Sequence, residues 1–87
     1  MSITTGIYRH YKGRDYRVFG VARHSESEEV LVVYQTLYGD FGLWVRPLAM
    51  FLEQVEVDGE RRPRFALLQA EPAPFASGAM PDGLPHA

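Results

Sequence analysis

Three side chains in this sequence have the chemistry of a catalytic or metal site: His10, His24 and Asp40. A histidine that a carboxylate orients can act as a general base, and imidazole and carboxylate groups also bind zinc. No two of the three stand at the short local spacing of a structural zinc site. The chain also contains no cysteine, which excludes thiolate ligands and cysteine nucleophiles. We therefore predict no catalytic residues, no metal and no cofactor, and keep a small enzyme built on these three residues as an alternative function.

Aromatic and arginine side chains indicate a binding surface instead. Trp44 and Arg46 are two residues apart, so they share one face of a short strand, and Tyr34 stands in the strand before it. Tryptophan, tyrosine and arginine are the residue types that dominate binding hot spots. Leu43 and Val45 take the opposite face, which we expect to be the core side. The pattern predicts that this surface recognises a protein or peptide partner.

The first predicted strand adds to this surface. Ile7 is expected to point inward, which turns Tyr8 and His10 outward or toward a groove. The predicted binding residues are therefore Tyr8, His10, Tyr34, Trp44 and Arg46. The alternative is that the aromatic rings form the core of a small domain, with Arg46 paired to Asp40.

The basic residues bear on a second alternative function, a nucleic-acid accessory protein. Eight of the nine are arginines, and Arg61, Arg62 and Arg64 stand close together on a predicted hairpin arm. Arginine binds phosphate well, and aromatic rings can stack on bases. The net charge of −2 argues against this function, because sequence-independent nucleic-acid binding depends on a basic surface.

The chain of 87 residues has room for one domain, which we place at residues 5–69. Four of the six prolines lie in the last 17 residues, which show no hydrophobic periodicity, so residues 70–87 are predicted to be a disordered tail. No apolar run approaches the length of a membrane-spanning helix, and no signal-peptide pattern follows Met1. We expect a cytoplasmic protein without membrane contact.

Within the predicted domain, segments rich in β-branched and aromatic residues alternate with turn residues. Strands are predicted at about residues 6–12, 16–24, 30–38, 43–46 and 64–68. Gly20 inside the second of these indicates a bulge or a sharp bend. Pro47 begins one or two helical turns that end by Val55. The dipeptide Asp58-Gly59 predicts a tight hairpin turn.

These elements predict a mainly β fold, in the form of a small SH3-like β-barrel of about five antiparallel strands with one short helical turn. Closure is favoured because it removes exposed strand edges, which segments such as VLVVY would otherwise present. An open β-meander with a capping helix is the alternative.

Several motifs within the predicted domain resemble those of a known family. They are GIYRHYKG at 6–13, ARHSE at 22–26, LYGDFGLWVRP at 37–47, VDG at 57–59 and PRF at 63–65. Together they resemble the DUF1653 family of short bacterial proteins, a domain of unknown function. The resemblance covers nearly the whole predicted domain and excludes the tail. It implies a compact, stand-alone, mostly β domain, and it implies no activity, cofactor or catalytic residue.

Overall fold

Seven short strands and one helical turn make up the part of the chain that the structure describes. The computed structural model describes residues 3–73. The strands are β1 (Gly6–His10), β2 (Asp15–Arg23), β3 (Val30–Thr36), β4 (Leu43–Pro47), β5 (Gln54–Val57), β6 (Glu60–Pro63) and β7 (Phe65–Ala70), and the helix α1 (Leu48–Phe51) lies between β4 and β5. The prediction of a mainly β fold with one short helical turn is confirmed.

Five of the strands form one antiparallel sheet in the order β4-β3-β2-β1-β7, and β5 and β6 form a separate hairpin. Strands β4 and β7 are the edges of the large sheet, and no hydrogen-bonded ladder joins them within residues 3–73. The predicted closed barrel is therefore not found. Closure is not needed to bury the apolar face, because α1 packs against β3 and β4 and covers one end of that face. The observed fold is nearer to the alternative, an open meander with a capping helix, to which β7 is added beside β1.

One face of the large sheet, which we call the inner face, carries the core. Val18 and Val32 on the sheet and Leu48 and Phe51 on α1 are at most 2% exposed. The ring of Phe51 stacks on the ring of Phe65, with centroids 4.3 Å apart and planes 3° apart. The remaining buried members of this cluster are Tyr8 and Tyr34. We call these seven residues the covered half of the inner face.

A bulge in β2 decides which of its residues reach the inner face. Val18 pairs with Tyr34 of β3, and the next paired residue of β2 is Gly20, so Phe19 is the extra residue. The predicted irregularity at Gly20 is thus confirmed. Because the bulge comes after Val18, the preceding alternation still places Tyr16 on the inner face, beside Tyr34.

The turn between β5 and β6 has the geometry that its sequence predicts. Asp58 and Gly59 have φ angles of 51° and 81°, and both are positive as a type I′ turn requires. A β-carbon on Gly59 would meet no atom within 4 Å. The requirement for glycine there is therefore one of backbone conformation and not of space.

Beyond β7 the chain returns to the start of β1. The amide of Glu71 donates a hydrogen bond to the carbonyl oxygen of Thr5 at 2.9 Å. Residues 74–87, the larger part of the predicted tail, lie outside the described residues, so the predicted disorder and domain boundary stay predictions. No helix in the described part of the chain is long and apolar enough to cross a membrane.

A candidate aromatic and arginine groove

The register between β3 and β4 directs Trp44 and Arg46 to the inner face. Trp44 pairs with Tyr34, and Arg46 pairs with Val32. Directly paired residues of an antiparallel sheet point to the same side, and both partners on β3 are core residues. Even so, 55% of Trp44 is exposed, because α1 does not extend over this end of the face.

Leu43 and Val45 lie on the outer side of β4 and are 69% and 57% exposed. The prediction that they face the core is therefore wrong. Alternation along β4 separates them correctly from Trp44, but it does not indicate which side is covered. The covering helix α1 packs on the inner face, and no element within residues 3–73 shields these two side chains on the outer face.

Trp44 and Arg46 line an open groove with a volume of about 190 Å³. The full lining is Tyr16, Tyr34, Thr36, Tyr38, Gly39, Asp40, Trp44 and Arg46. The ring of Tyr16 stands nearly perpendicular to the rings of Tyr34 and Tyr38, with centroids 5.5 and 5.6 Å away. This edge-to-face packing holds the tyrosines in fixed orientations.

The hydroxyl groups of Tyr16 and Tyr38 share a hydrogen bond of 2.9 Å. Burial, followed by this bond to Tyr38, raises the pKa of Tyr16 to about 12. The phenol consequently stays protonated throughout the physiological pH range and cannot act as a base. Its role in the groove is to position Tyr38 and to supply a polar edge.

Tyr8 is buried within the covered half, so the prediction that it points outward is wrong. Its ring packs edge-on against Phe51 at 5.3 Å, and its hydroxyl donates a hydrogen bond of 2.6 Å to the carbonyl oxygen of Thr4. Strand β1 lies between β2 and β7, so its inner side chains are central to the core. A tyrosine fits there because its hydroxyl reaches a carbonyl at the rim.

His10 lies half-buried on the inner face, where its ring meets Phe65 edge-on at 4.9 Å. Its Nδ1 accepts a hydrogen bond of 3.1 Å from the amide of Lys12, which leaves Nε2 to carry the proton of the neutral ring. Burial lowers the pKa of His10, and the positive charges of Arg64, Arg46 and Lys12 lower it further. The imidazole is therefore held in its neutral form beside a group of cations.

The three residues of the enzyme alternative do not form a site together. His24 follows β2 and accepts hydrogen bonds at Nδ1 from the amides of Glu26 and Ser27. His10 lies at the opposite end of β2, together with the turn that contains Asp40. Among the described residues, no group of three His, Cys, Asp or Glu side chains could hold a metal ion.

Two arginines in or beside the groove lie over aromatic rings. The guanidinium carbon of Arg46 lies 5.4 Å from the ring centroid of Phe65, and that of Arg14 lies 4.5 Å from the centroid of Tyr38. The predicted alternative pairing of Arg46 with Asp40 is not found, since no carboxylate of residues 3–73 comes within 4 Å of Arg46.

Comparison with known proteins supports the motif resemblance. The family model described as "Protein of unknown function (DUF1653)" matches residues 6–67. The chain belongs to this family. A crystal structure of a DUF1653 protein from Bordetella bronchiseptica is similar to this chain, with 39% identity, a TM-score of 0.72, and coverage of 80% of this chain and 92% of that one. No curated protein matches the chain.

The groove in this DUF1653 chain contains residues that sequence reasoning missed as site residues. Tyr16 and Thr36 line it, and Arg14 lies over the ring of the lining residue Tyr38, whereas of the five predicted binding residues only Tyr34, Trp44 and Arg46 line it. Alternation along β2 alone places Tyr16 on the same face as Val18. That Tyr16 lies in one groove with Trp44 depends on two registers, that of β2 with β3 and that of β3 with β4.

Proposed function

We propose that this protein is a non-enzymatic binding module that holds an extended peptide segment of a partner protein in the groove. The observation that carries the proposal is the exposed Trp44, set among ordered tyrosines on the face that also bears the core. Tryptophan and tyrosine provide large contact areas at little cost in side-chain entropy. A solvent-open groove of this kind has the composition of a recognition hot spot.

The shape of the groove favours a peptide over a small-molecule substrate. Its volume of about 190 Å³ is below the roughly 300–1,000 Å³ typical of small-molecule sites, and it is open along the surface. It therefore has room for one or two side chains of a peptide segment.

A peptide partner also fits the charges better than a nucleic acid does. Arg62 pairs with Glu60 at 3.6 Å, and Arg61 donates a hydrogen bond to Gln54, so these two arginines of the predicted basic arm have partners within their own hairpin. The net charge of the chain is −2, and a carboxylate, that of Asp40, lines the groove itself. With one arginine and one carboxylate of residues 3–73 in its lining, the groove offers no row of positive charges for a continuous phosphate chain.

The test is a selection of displayed random peptides on the full-length protein. We expect peptides that bind the wild type and Leu43→Ala but not Trp44→Ala. Leu43 is the matched control, because it is exposed, adjacent in the chain and on the opposite face. Amide chemical-shift changes on titration of a selected peptide should surround Trp44, Tyr38 and Tyr16.

The proposal is wrong if selection yields no peptide whose binding depends on Trp44, provided that Trp44→Ala retains the wild-type circular dichroism spectrum. It is also wrong if Leu43→Ala abolishes binding as completely as Trp44→Ala, because the outer face would then be the binding surface.

A further inference from the structure

The arginines of this protein divide into two groups by their partners. Five have a polar partner in the structure. Four of these are the ion pairs Arg9–Asp15, Arg17–Glu71, Arg23–Glu28 and Arg62–Glu60, and the fifth is the hydrogen bond from Arg61 to Gln54. Arg14, Arg46 and Arg64 have no side-chain hydrogen bond or ion pair within residues 3–73.

The three unpaired arginines lie around one aromatic cluster. Arg14 lies over the ring of Tyr38, and Arg46 lies over the ring of Phe65. Arg64 immediately precedes Phe65, and its Nε atom is buried with no partner among the described residues. The charges of Arg46 and Arg64 both reach His10, whose ring lies against Phe65. The arginines without a polar partner in this part of the chain are thus gathered around the rings of Tyr38 and Phe65, next to the groove, whereas the remaining arginines are paired.

We infer that the peptide held in the groove is acidic, with an aspartate or glutamate carboxylate bound by Arg46 and its neighbours while an adjacent side chain packs on Trp44. This inference rests on the proposed function and adds the chemical class of the ligand. A guanidinium carries its N–H donors in a planar fork that matches the two oxygens of a carboxylate. No other side chain of residues 3–73 accepts a hydrogen bond from the guanidinium of Arg46, which lines the groove.

The small area of the positive charge favours a peptide carboxylate over a nucleic-acid backbone. Among residues 3–73, Arg46 is the one arginine in the lining of a groove of about 190 Å³, and the carboxylate of Asp40 lies in the same lining. One or two ligand carboxylates can meet the arginines while the rest of the peptide avoids Asp40. A continuous phosphate chain has no such freedom, since every nucleotide carries a charge.

The experiment uses the peptides selected on the full-length protein and compares each acidic peptide with its amide counterpart, in which Asp becomes Asn or Glu becomes Gln. Trp44 is the single tryptophan, so its fluorescence reports binding directly. We expect selected peptides to be enriched in acidic residues, and the amide counterparts to bind about 10- to 100-fold more weakly. In Arg46→Gln the two forms should bind equally, and rising salt should weaken only the acidic form.

Arg23→Gln is the matched control, because Arg23 is exposed and lies outside the groove lining. It should leave the difference between acidic and amide peptides unchanged. If Arg46→Gln fails to fold, Arg46→Lys replaces it, and loss of the forked contact should reduce the difference without abolishing it.

The possible results distinguish a failure of this inference from a failure of the proposed binding function. Peptides that need Trp44 but show no acidic preference would overturn the inference and leave the binding function in place. A selection without any Trp44-dependent peptide would overturn the function itself. If single-stranded RNA binds through Arg46 and displaces the selected peptide at lower concentration, the ligand class is nucleic acid and the inference is wrong.

Discussion

The covered half and the groove lie side by side on one face of one sheet, and both are built from aromatic residues. In the covered half, Phe51 of α1 stacks on Phe65 and seals the cluster from water. In the groove, tyrosines of the same sheet stand beside Trp44, but α1 does not reach over them. The difference between the core and the exposed groove on this face is therefore the position of a four-residue helix.

Tyr34 connects the two halves. It is buried within the core cluster and also lines the groove, with its ring 6.4 Å from Phe51 and 5.5 Å from Tyr16. The groove is consequently an extension of the packed core and is held by it. A ligand would meet a surface whose side chains are already ordered, which lowers the entropic cost of binding.

The largest loss of stability is expected when a ring is removed from the covered half. Phe51→Ala should destabilise the protein by about 3–5 kcal/mol, because it removes a fully buried ring from the stack on Phe65. Urea or thermal unfolding measures this loss. The control is Met50→Ala, next to it in α1 but 47% exposed, which should change stability by no more than about 0.5 kcal/mol. Equal losses for the two variants would show that α1 does not seal the core.

The hairpin turn, which belongs to neither half, should give a smaller effect. Gly59→Ala is expected to cost about 1 kcal/mol or more, because alanine is strained at a φ of 81°. Nothing contacts the added methyl group, so the loss reports backbone strain alone. Thermal unfolding checks the value, and an unchanged midpoint would mean that the turn does not constrain folding.

In the groove, the loss of an even larger ring should cost less than the Phe51 change. Trp44→Ala should destabilise by well under the roughly 3–5 kcal/mol of a buried aromatic, because the indole is more than half exposed. Fluorescence of the wild type gives an independent check, since Trp44 is the only tryptophan. Emission should be red-shifted and quenched by iodide. Blue-shifted emission that iodide does not quench would place Trp44 in the core and remove the distinction between the halves.

The smallest effect concerns His10, which packs against Phe65 at the boundary of the covered half. Its pKa in the folded protein is below the usual 6.5, so between the two values the unfolded chain binds more protons than the folded one. Stability should therefore be full above pH 6.5 and fall as the pH drops through the folded pKa. Urea unfolding across this range should show the decrease in wild type and a flatter profile in His10→Gln. Identical profiles would contradict the assignment.

Much of the local structure was predictable from the sequence. The Asp58-Gly59 turn, the irregularity at Gly20 and the helical turn after Pro47 were all found where their residues indicate. Each depends on the backbone preferences of one or two neighbouring residues, so no distant contact is needed to specify it. The family assignment was also available from local motifs.

The choice between the two faces of each strand was decided only by the tertiary structure. Alternation correctly separates Trp44 from Leu43 and Val45, and Tyr8 from Ile7, but it is symmetric between inside and outside. Packing of α1 against β3 and β4, together with the pairing of β7 with β1, breaks that symmetry. Trp44 is exposed as expected, yet not because Leu43 and Val45 occupy the core. Trp44 is open to solvent since α1 does not extend over its end of the inner face, and Leu43 and Val45 are exposed because no element of residues 3–73 covers the outer face of the edge strand β4.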